Sequence, residues 1–147
     1  PQVVAVERSL STVPVMTIAH PTGNKPLSLA DLEGLPMYRV KTSTFWPNDD
    51  GVYEGPLLKD VLARAGLARV AAIRVVALDG FSQIIPAEDW QRWPLLLATR
   101  RNGQPLNTLA KGPVRLIYPR DMAPALADPK YRLRWVWLVT AIVPVGR

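Results

Sequence analysis

Fifteen prolines and nine glycines interrupt this 147-residue chain. Proline fixes its own φ and removes a backbone donor, while glycine loosens the chain, so spacing this dense rules out long helices. What fits between the breaks is short strands and helices of one to three turns. The segments VVAVE (3–7) and VPVMTIA (13–19) read as strands, the second with alternating character, and HPTGNKP reads as a turn. Ser28 stands three residues before Asp31, the spacing of a capped helix start over LADLEGLP. MYRVKTST (37–44) alternates and predicts a strand running into a loop, FWPNDDGVYEG.

The clearest helix is PLLKDVLARAGL, with Pro56 in its first turn, an apolar stripe of Leu57, Val61, Leu62 and Ala65, and Gly66 at its end. AAIRVVALDG (71–80) and SQIIP (82–86) predict paired strands, and Pro86 to Trp90 a short helix. LLLATRR (95–101) and PVRLIYP (113–119) form a hairpin-like unit around NGQP, and RWVWLVTAIVPV (134–145) reads as one long final strand. No repeat, low-complexity tract or linker divides the sequence. The expectation is one strand-rich α+β domain over residues 1–147.

Hydrophobic residues make up 48% of the chain and charged ones 20%, an ordinary globular balance. The longest apolar run, LVTAIVPV, is too short to span a bilayer, so direct membrane insertion is not expected. The formal charge is +6, but the basic residues are scattered and lack any accompanying nucleic-acid signature, which sets aside nucleic acid as a partner. The first residue is Pro1 rather than Met, which reads as a processed start and favours an exported, periplasmic protein. The absence of cysteine fits an oxidising compartment.

The same absence removes every zinc pattern built on Cys and His spacing. A Ser–His–Asp triad would need the single histidine, His20, and no Gly-x-Ser-x-Gly elbow accompanies it. The neighbouring acids Asp49-Asp50 and Glu88-Asp89 read as turn and helix-start residues, because adjacent side chains do not face each other across a substrate. The inventory suits binding better than catalysis. Thr42, Thr44 and Trp46 recur at strand spacing and would share one face if the strand continued. An indole offers a stacking surface to a flat heteroaromatic ring, and hydroxyls can bond to its edge. Asp79, beside Gly80, could accept two hydrogen bonds from an amino-and-imino ring edge; the pair also reads as an ordinary turn. Tyr118, Arg120 and Asp121 follow the strand PVRLIYP, and Arg134 opens the last strand, where a surface role competes with a pocket role. Trp135 and Trp137 alternate on that strand and suggest sheet packing. Trp46, next to a proline, equally reads as a core plug.

In order and spacing, KTSTFW, EGPLLKDVLARAGL, VVALDGFSQIIPAEDW, NGQPLNTLAKGPVRLIYPRD and WVWLVTAIV together resemble the molybdopterin-binding domain of the sulfite oxidase superfamily. The resemblance runs from about Met37 to the end. It implies the sulfite oxidase fold. In catalytic members a cysteine ligates molybdenum, and the resemblance puts Thr42 at that position; a hydroxyl is a poor soft-metal ligand. The chain is most similar to small exported members that lack the cysteine and hold a pterin without metal, reporting it to the periplasmic region of a membrane-bound cyclic-di-GMP enzyme. Those read Thr-x-Thr-Pro-Trp where this chain has Thr42, Thr44 and Trp46 with Phe45 before the indole. They read Asn-Asp-Tyr where it has Asp79, Gly80 and Phe81. Their KGP…IYPRD and RWVWQL patterns match Lys111 to Pro113, Ile117 to Asp121, and Arg134 to Leu138, with leucine replacing glutamine at 138. The resemblance therefore implies a non-catalytic, metal-free pterin binder with a signalling partner. The alternatives are a molybdenum-cofactor oxidoreductase, which the missing thiolate disfavours, and an interaction domain with a vestigial pocket.

Overall fold

The structure, a computed structural model, describes residues 2–4, 7–107, 109 and 111–145. It is a mixed α+β fold of twelve described strands in three sheets with three short α-helices. Part of the expected first strand, at residues 5 and 6, lies outside the described residues.

The first sheet joins β1 (Gln2–Val3), β4 (Met37–Thr42), β5 (Gly51–Pro56), β9 (Arg100–Arg101) and β10 (Gln104–Pro105) in that order, each pair antiparallel. In β4 the buried Met37, Val40 and Thr42 are set between more open positions, the mark of a strand with one face on a core. β5 occupies residues whose composition predicts loop. Glycine, glutamate and proline are poor strand formers, so propensity hides it, yet it is the central strand, with Tyr53 buried and Glu54 tied to Arg39 at 2.9 Å. Gly55 marks a close backbone approach: a Cβ there would stand 2.3 Å from the carbonyl oxygen of Leu97. Pro56 ends this strand instead of opening the helix, which runs over α2 (Leu58–Arg64).

The second large sheet has the order β3 (Lys25–Ser28), β2 (Pro14–Ile18), β12 (Val139–Val145), β6 (Ala72–Ala77) and β7 (Ser82–Pro86). β12 runs parallel to β2 and antiparallel to β6. β3 begins inside the segment that reads as a turn; its Pro26 is tolerated because the strand lies at the sheet edge. β8 (Leu96–Ala98) and β11 (Arg115–Ile117) pair antiparallel as expected and are buried throughout. Ser28 and Asp31 form the expected capping box on α1 (Leu29–Glu33), and α3 (Ala87–Arg92) follows β7. Tyr53, Leu58, Leu62, Ile73, Leu96, Leu116 and Ile142 belong to one continuous core between the layers. Among the described residues no helix is long and apolar enough to cross a membrane.

The last strand begins only at Val139. Before it, Pro129–Arg134 is a 3-10 segment, and Leu138 takes a φ of 51°, a left-handed value unusual for a branched aliphatic residue. Hydrogen bonds from Leu138 N to the Lys111 carbonyl and from Leu78 N to the Leu138 carbonyl, both 2.8 Å, hold that kink. It removes Trp135 and Trp137 from the strand register and brings them to the molecule's aromatic cleft.

Candidate functional site

β4 stops at Thr42, and the chain then folds through 43–50 as a loop anchored by a buried carboxylate. Asn48 adopts φ 55°, a conformation asparagine tolerates, and the chain doubles back to bury Asp49. Arg115, itself only 1% exposed, grips Asp49 with both terminal nitrogens, Nη1 to Oδ1 at 2.9 Å and Nη2 to Oδ2 at 2.8 Å. The Thr44 hydroxyl donates to Asp49 Oδ2 at 2.7 Å and accepts from Trp46 N at 3.2 Å. Lys111 Nζ stands 3.3 Å from Asp49 Oδ1. Burial pushes the Asp49 carboxyl up, but the Arg115 hydrogen bonds and charge, with Thr44 and Lys111, outweigh it and hold the group at about 2.

The loop carries Trp46 to a cleft of about 380 Å³ that Trp135 and Trp137 also line, with Asp79, Phe81, Arg132 and Leu133 completing it. Trp46 meets Trp137 with ring centroids 4.8 Å apart at 69°, and Trp135 at 6.0 Å and 67°. Phe45 packs edge-on against both Trp46 and Trp135. Trp135 is 2% exposed, and its indole Nε1 is buried with no hydrogen-bond partner among the described residues. Such orphaned donors are rare in folded proteins. Asp79 does close the turn, accepting from Phe81 N at 3.0 Å through Oδ1, and its second oxygen has no partner among the described residues. Phe81 forms the outer rim, 41% exposed.

Of the nine residues singled out in the sequence, Trp46, Asp79 and Phe81 meet in this cleft. The others do not line it. Thr42 is buried; its hydroxyl donates to the Ser43 carbonyl at 2.9 Å and accepts from Asp121 N at 3.2 Å, clasping β4 to the turn at Arg120–Met122. Thr44 is spent on the Asp49 loop. Neither threonine joins the expected shared strand face, because the strand ends at Thr42 before that face is built. Asp121 accepts from Ser43 N at 2.8 Å and from the Ser43 hydroxyl at 2.5 Å, and those bonds, with the charge of Arg120, keep its carboxyl low. Arg120 donates to Ser43 Oγ at 2.9 Å and lies 4.6 Å over the Phe45 ring. Tyr118 is buried, stacks 6.2 Å behind Trp135 and donates to Asp89 at 2.6 Å; burial and the Asp89 charge raise its hydroxyl. Arg134 pairs with the same Asp89 oxygen at 2.8 Å. Tyr118 and Arg134 thus brace the cleft from within.

Sequence reasoning missed Trp135, Trp137 and Arg132 at the cleft. The alternation of the two tryptophans imitates a strand, and only the kink at Leu138 separates them from it. It also missed Asp49, whose partner Arg115 lies 66 residues away.

The donor set bears on what the cleft can hold. The chain contains no cysteine, and Thr42, at the position the resemblance gives to the metal-binding cysteine, is buried with its hydroxyl bonded on both sides. A protein-held molybdenum does not fit these residues. A pterin ring does fit: the cleft is lined by the indoles of Trp46, Trp135 and Trp137 and by Asp79, whose second carboxylate oxygen has no partner among the described residues.

Residues 40–127, more than half of the chain, match the family described as "Oxidoreductase molybdopterin binding domain". An "Uncharacterized oxidoreductase YuiH" of Bacillus subtilis is 30% identical over 98 residues, covering 63% of this chain and 50% of that protein. The fold is similar to the sulfane dehydrogenase SoxCD from Paracoccus pantotrophus, with a TM-score of 0.68, 17% identity, and coverage of 95% of this chain and 40% of that one. The chain therefore spans half the length of the curated relative and less of the solved structure. These matches correct the expectation of a non-catalytic protein. The family is an oxidoreductase family and the curated relative carries an oxidoreductase name, whereas the non-catalytic expectation rested on the missing cysteine.

Proposed function

The chain belongs to the oxidoreductase molybdopterin binding domain family, and from that premise we propose an oxidoreductase-type domain whose tryptophan cleft holds the pterin ring of the cofactor. One observation carries the reading: three indoles and an Asp79 carboxylate oxygen with no described partner line the same cleft. Stacking a flat heterocycle on an indole contributes about 1–3 kcal/mol by analogy with bases. The unpartnered Asp79 oxygen accepts from the amino edge as a charge-assisted bond, about 1.5–3 kcal/mol. The upper ends of these ranges sum to about 6 kcal/mol, equivalent to a dissociation constant of some tens of micromolar.

When bound, a pterin cofactor supplies the redox chemistry; the chain supplies binding, orientation and a partly dry setting. Trp46, Trp135 and Trp137 present indole surface, Asp79 reads the amino edge, and Arg132 adds positive charge at the cleft. The metal-free form of the ligand is part of the proposal, and stoichiometric molybdenum in protein from a molybdate-supplied host overturns that part. An exported setting and a membrane-bound signalling partner are proposed on the family resemblance alone; fractionation of tagged protein checks the first.

The test is mass spectrometry of small molecules released on gentle denaturation, alongside titration of the purified protein with an oxidised and a reduced pterin. Co-purification of a pterin, or saturable binding that quenches indole fluorescence, is the expected result. The absence of co-purifying pterin together with no saturation below about 1 mM, equivalent to about 4 kcal/mol, ends the reading.

A further inference from the structure

Two indoles of the cleft depend on one carboxylate that never touches it. Trp46 is reached through Thr44: the Asp49 Oδ2 oxygen accepts from the Thr44 hydroxyl at 2.7 Å, and that hydroxyl accepts from Trp46 N at 3.2 Å. Trp137 is reached through Lys111, whose Nζ stands 3.3 Å from Asp49 Oδ1 and 5.4 Å over the Trp137 ring. Lys111 is tied a second time to the same stretch, its carbonyl accepting from Leu138 N at 2.8 Å. The carboxylate cannot swing, because Arg115 holds both of its oxygens. A bidentate grip fixes orientation as well as position.

We infer that Asp49 is the positioning residue of the cleft: through Thr44 and Lys111 it sets the 4.8 Å, 69° arrangement of Trp46 and Trp137. It touches no ligand and acts only through other residues. A bare structural role would require the Arg115 pair and nothing more. The two outward links, one to each indole from opposite oxygens of the same carboxylate, are what make it a setting device for a recognition surface. Holding both rings in place before the ligand arrives removes the ordering cost of two large side chains from binding. The inference rests on the pterin reading for its purpose, but its geometry concerns the protein alone.

Indoles this close and this inclined couple electronically, so the pair carries a far-ultraviolet circular dichroism signature in the ligand-free protein. Trp137→Phe defines that signature by difference from the parent. Thr44→Val cuts the link to Trp46 and Lys111→Met the link to Trp137; each is expected to abolish most of the pair signal while cooperative unfolding persists. Lys111→Gln removes the cation but keeps a donor for Asp49 and is expected to retain the signal, which separates positioning from a local field effect on Trp137. Pterin affinity, read by titration, is expected to fall about tenfold in Lys111→Met, the equivalent of about 1.4 kcal/mol. Should Thr44→Val not fold, Lys111→Met decides, since that side chain is 25% exposed. Full retention of the pair signal in folded Lys111→Met overturns the inference. If the signal responds as described but the parent protein binds no pterin, the positioning role stands and the pterin reading alone fails.

Discussion

Two groups of residues line one cleft and are held in opposite ways. Trp46 and Trp137 stand on a buried ionic lattice in which Arg115, Thr44 and Lys111 all bond to Asp49. Asp79 and Phe81 stand on an exposed turn, joined by a single hydrogen bond from Phe81 N, with Gly80 at φ 90° between them. The first group costs a great deal to disturb, because removing one partner strands a charge away from water. The second costs little, since water replaces what is lost. On the proposed reading the difference separates two tasks: the lattice fixes the shape of the stacking surface, and the turn presents a polar group free to select what lies on it.

The largest expected effect comes from breaking the lattice. Arg115→Met leaves the Asp49 carboxylate buried without its bidentate partner and is expected to cost about 3–5 kcal/mol, seen as a lower urea midpoint with an unchanged slope. A loss under about 1 kcal/mol, the level of an exposed pair, erases the contrast between the two groups. Next is Trp46→Ala, which removes a stacking face and is expected to weaken pterin binding by roughly ten- to a hundredfold, about 1–3 kcal/mol. Unchanged affinity would mean the ligand does not lie on this indole.

Acid comes third. The Asp49 carboxyl is depressed from 3.8 to about 2, so its contribution is fully present above the ordinary carboxylate value. That contribution is lost as pH falls through about 2; the direction follows because the unfolded chain binds the proton more readily. About 2 kcal/mol is expected to disappear between about pH 4 and pH 2, and Asp49→Asn should flatten that limb of the stability profile. An acid limb of the same slope in the Asp49→Asn variant would assign the loss to other carboxylates, of which Glu33 is the foremost: burial raises it, but Arg100, Thr99 and Ser9 hold it low.

How far the sequence reveals this arrangement differs between the same two groups. The turn group is local: Asp79, Gly80 and Phe81 are neighbours, and both the turn chemistry and the family resemblance point at them. Trp46 is legible in the same way. The lattice is not legible, because Asp49 looks like any turn acid until Arg115 arrives from a strand 66 residues further along the chain. Thr42 and Thr44 illustrate the same limit. Their spacing promises a shared strand face, but a strand that ends at Thr42 turns one hydroxyl into a clasp on Asp121 N and the other into a strut on Asp49. Trp135 and Trp137 invert the error, since their alternation imitates a strand that the left-handed backbone at Leu138 forbids. The core strands, by contrast, are legible wherever apolar alternation is strong, as in β4 and β6, and hidden where glycine and glutamate dilute it, as in β5.

The smallest expected effect is also the sharpest test of the division of tasks. Asp79→Asn keeps an oxygen that can accept from Phe81 N, so the turn survives and stability should change by less than about 0.5 kcal/mol. What it removes is the negative charge on the oxygen left without a described protein partner. A charge-assisted hydrogen bond is roughly twice as strong as a neutral one, so pterin affinity should fall about three- to tenfold, near 1 kcal/mol. The combination matters more than either number. A stability loss with unchanged affinity would place Asp79 among the structural residues and leave the indoles alone to hold the ring. An affinity loss at constant stability would instead show that the exposed turn selects the ring edge, while the buried lattice only holds the rings against which it is judged.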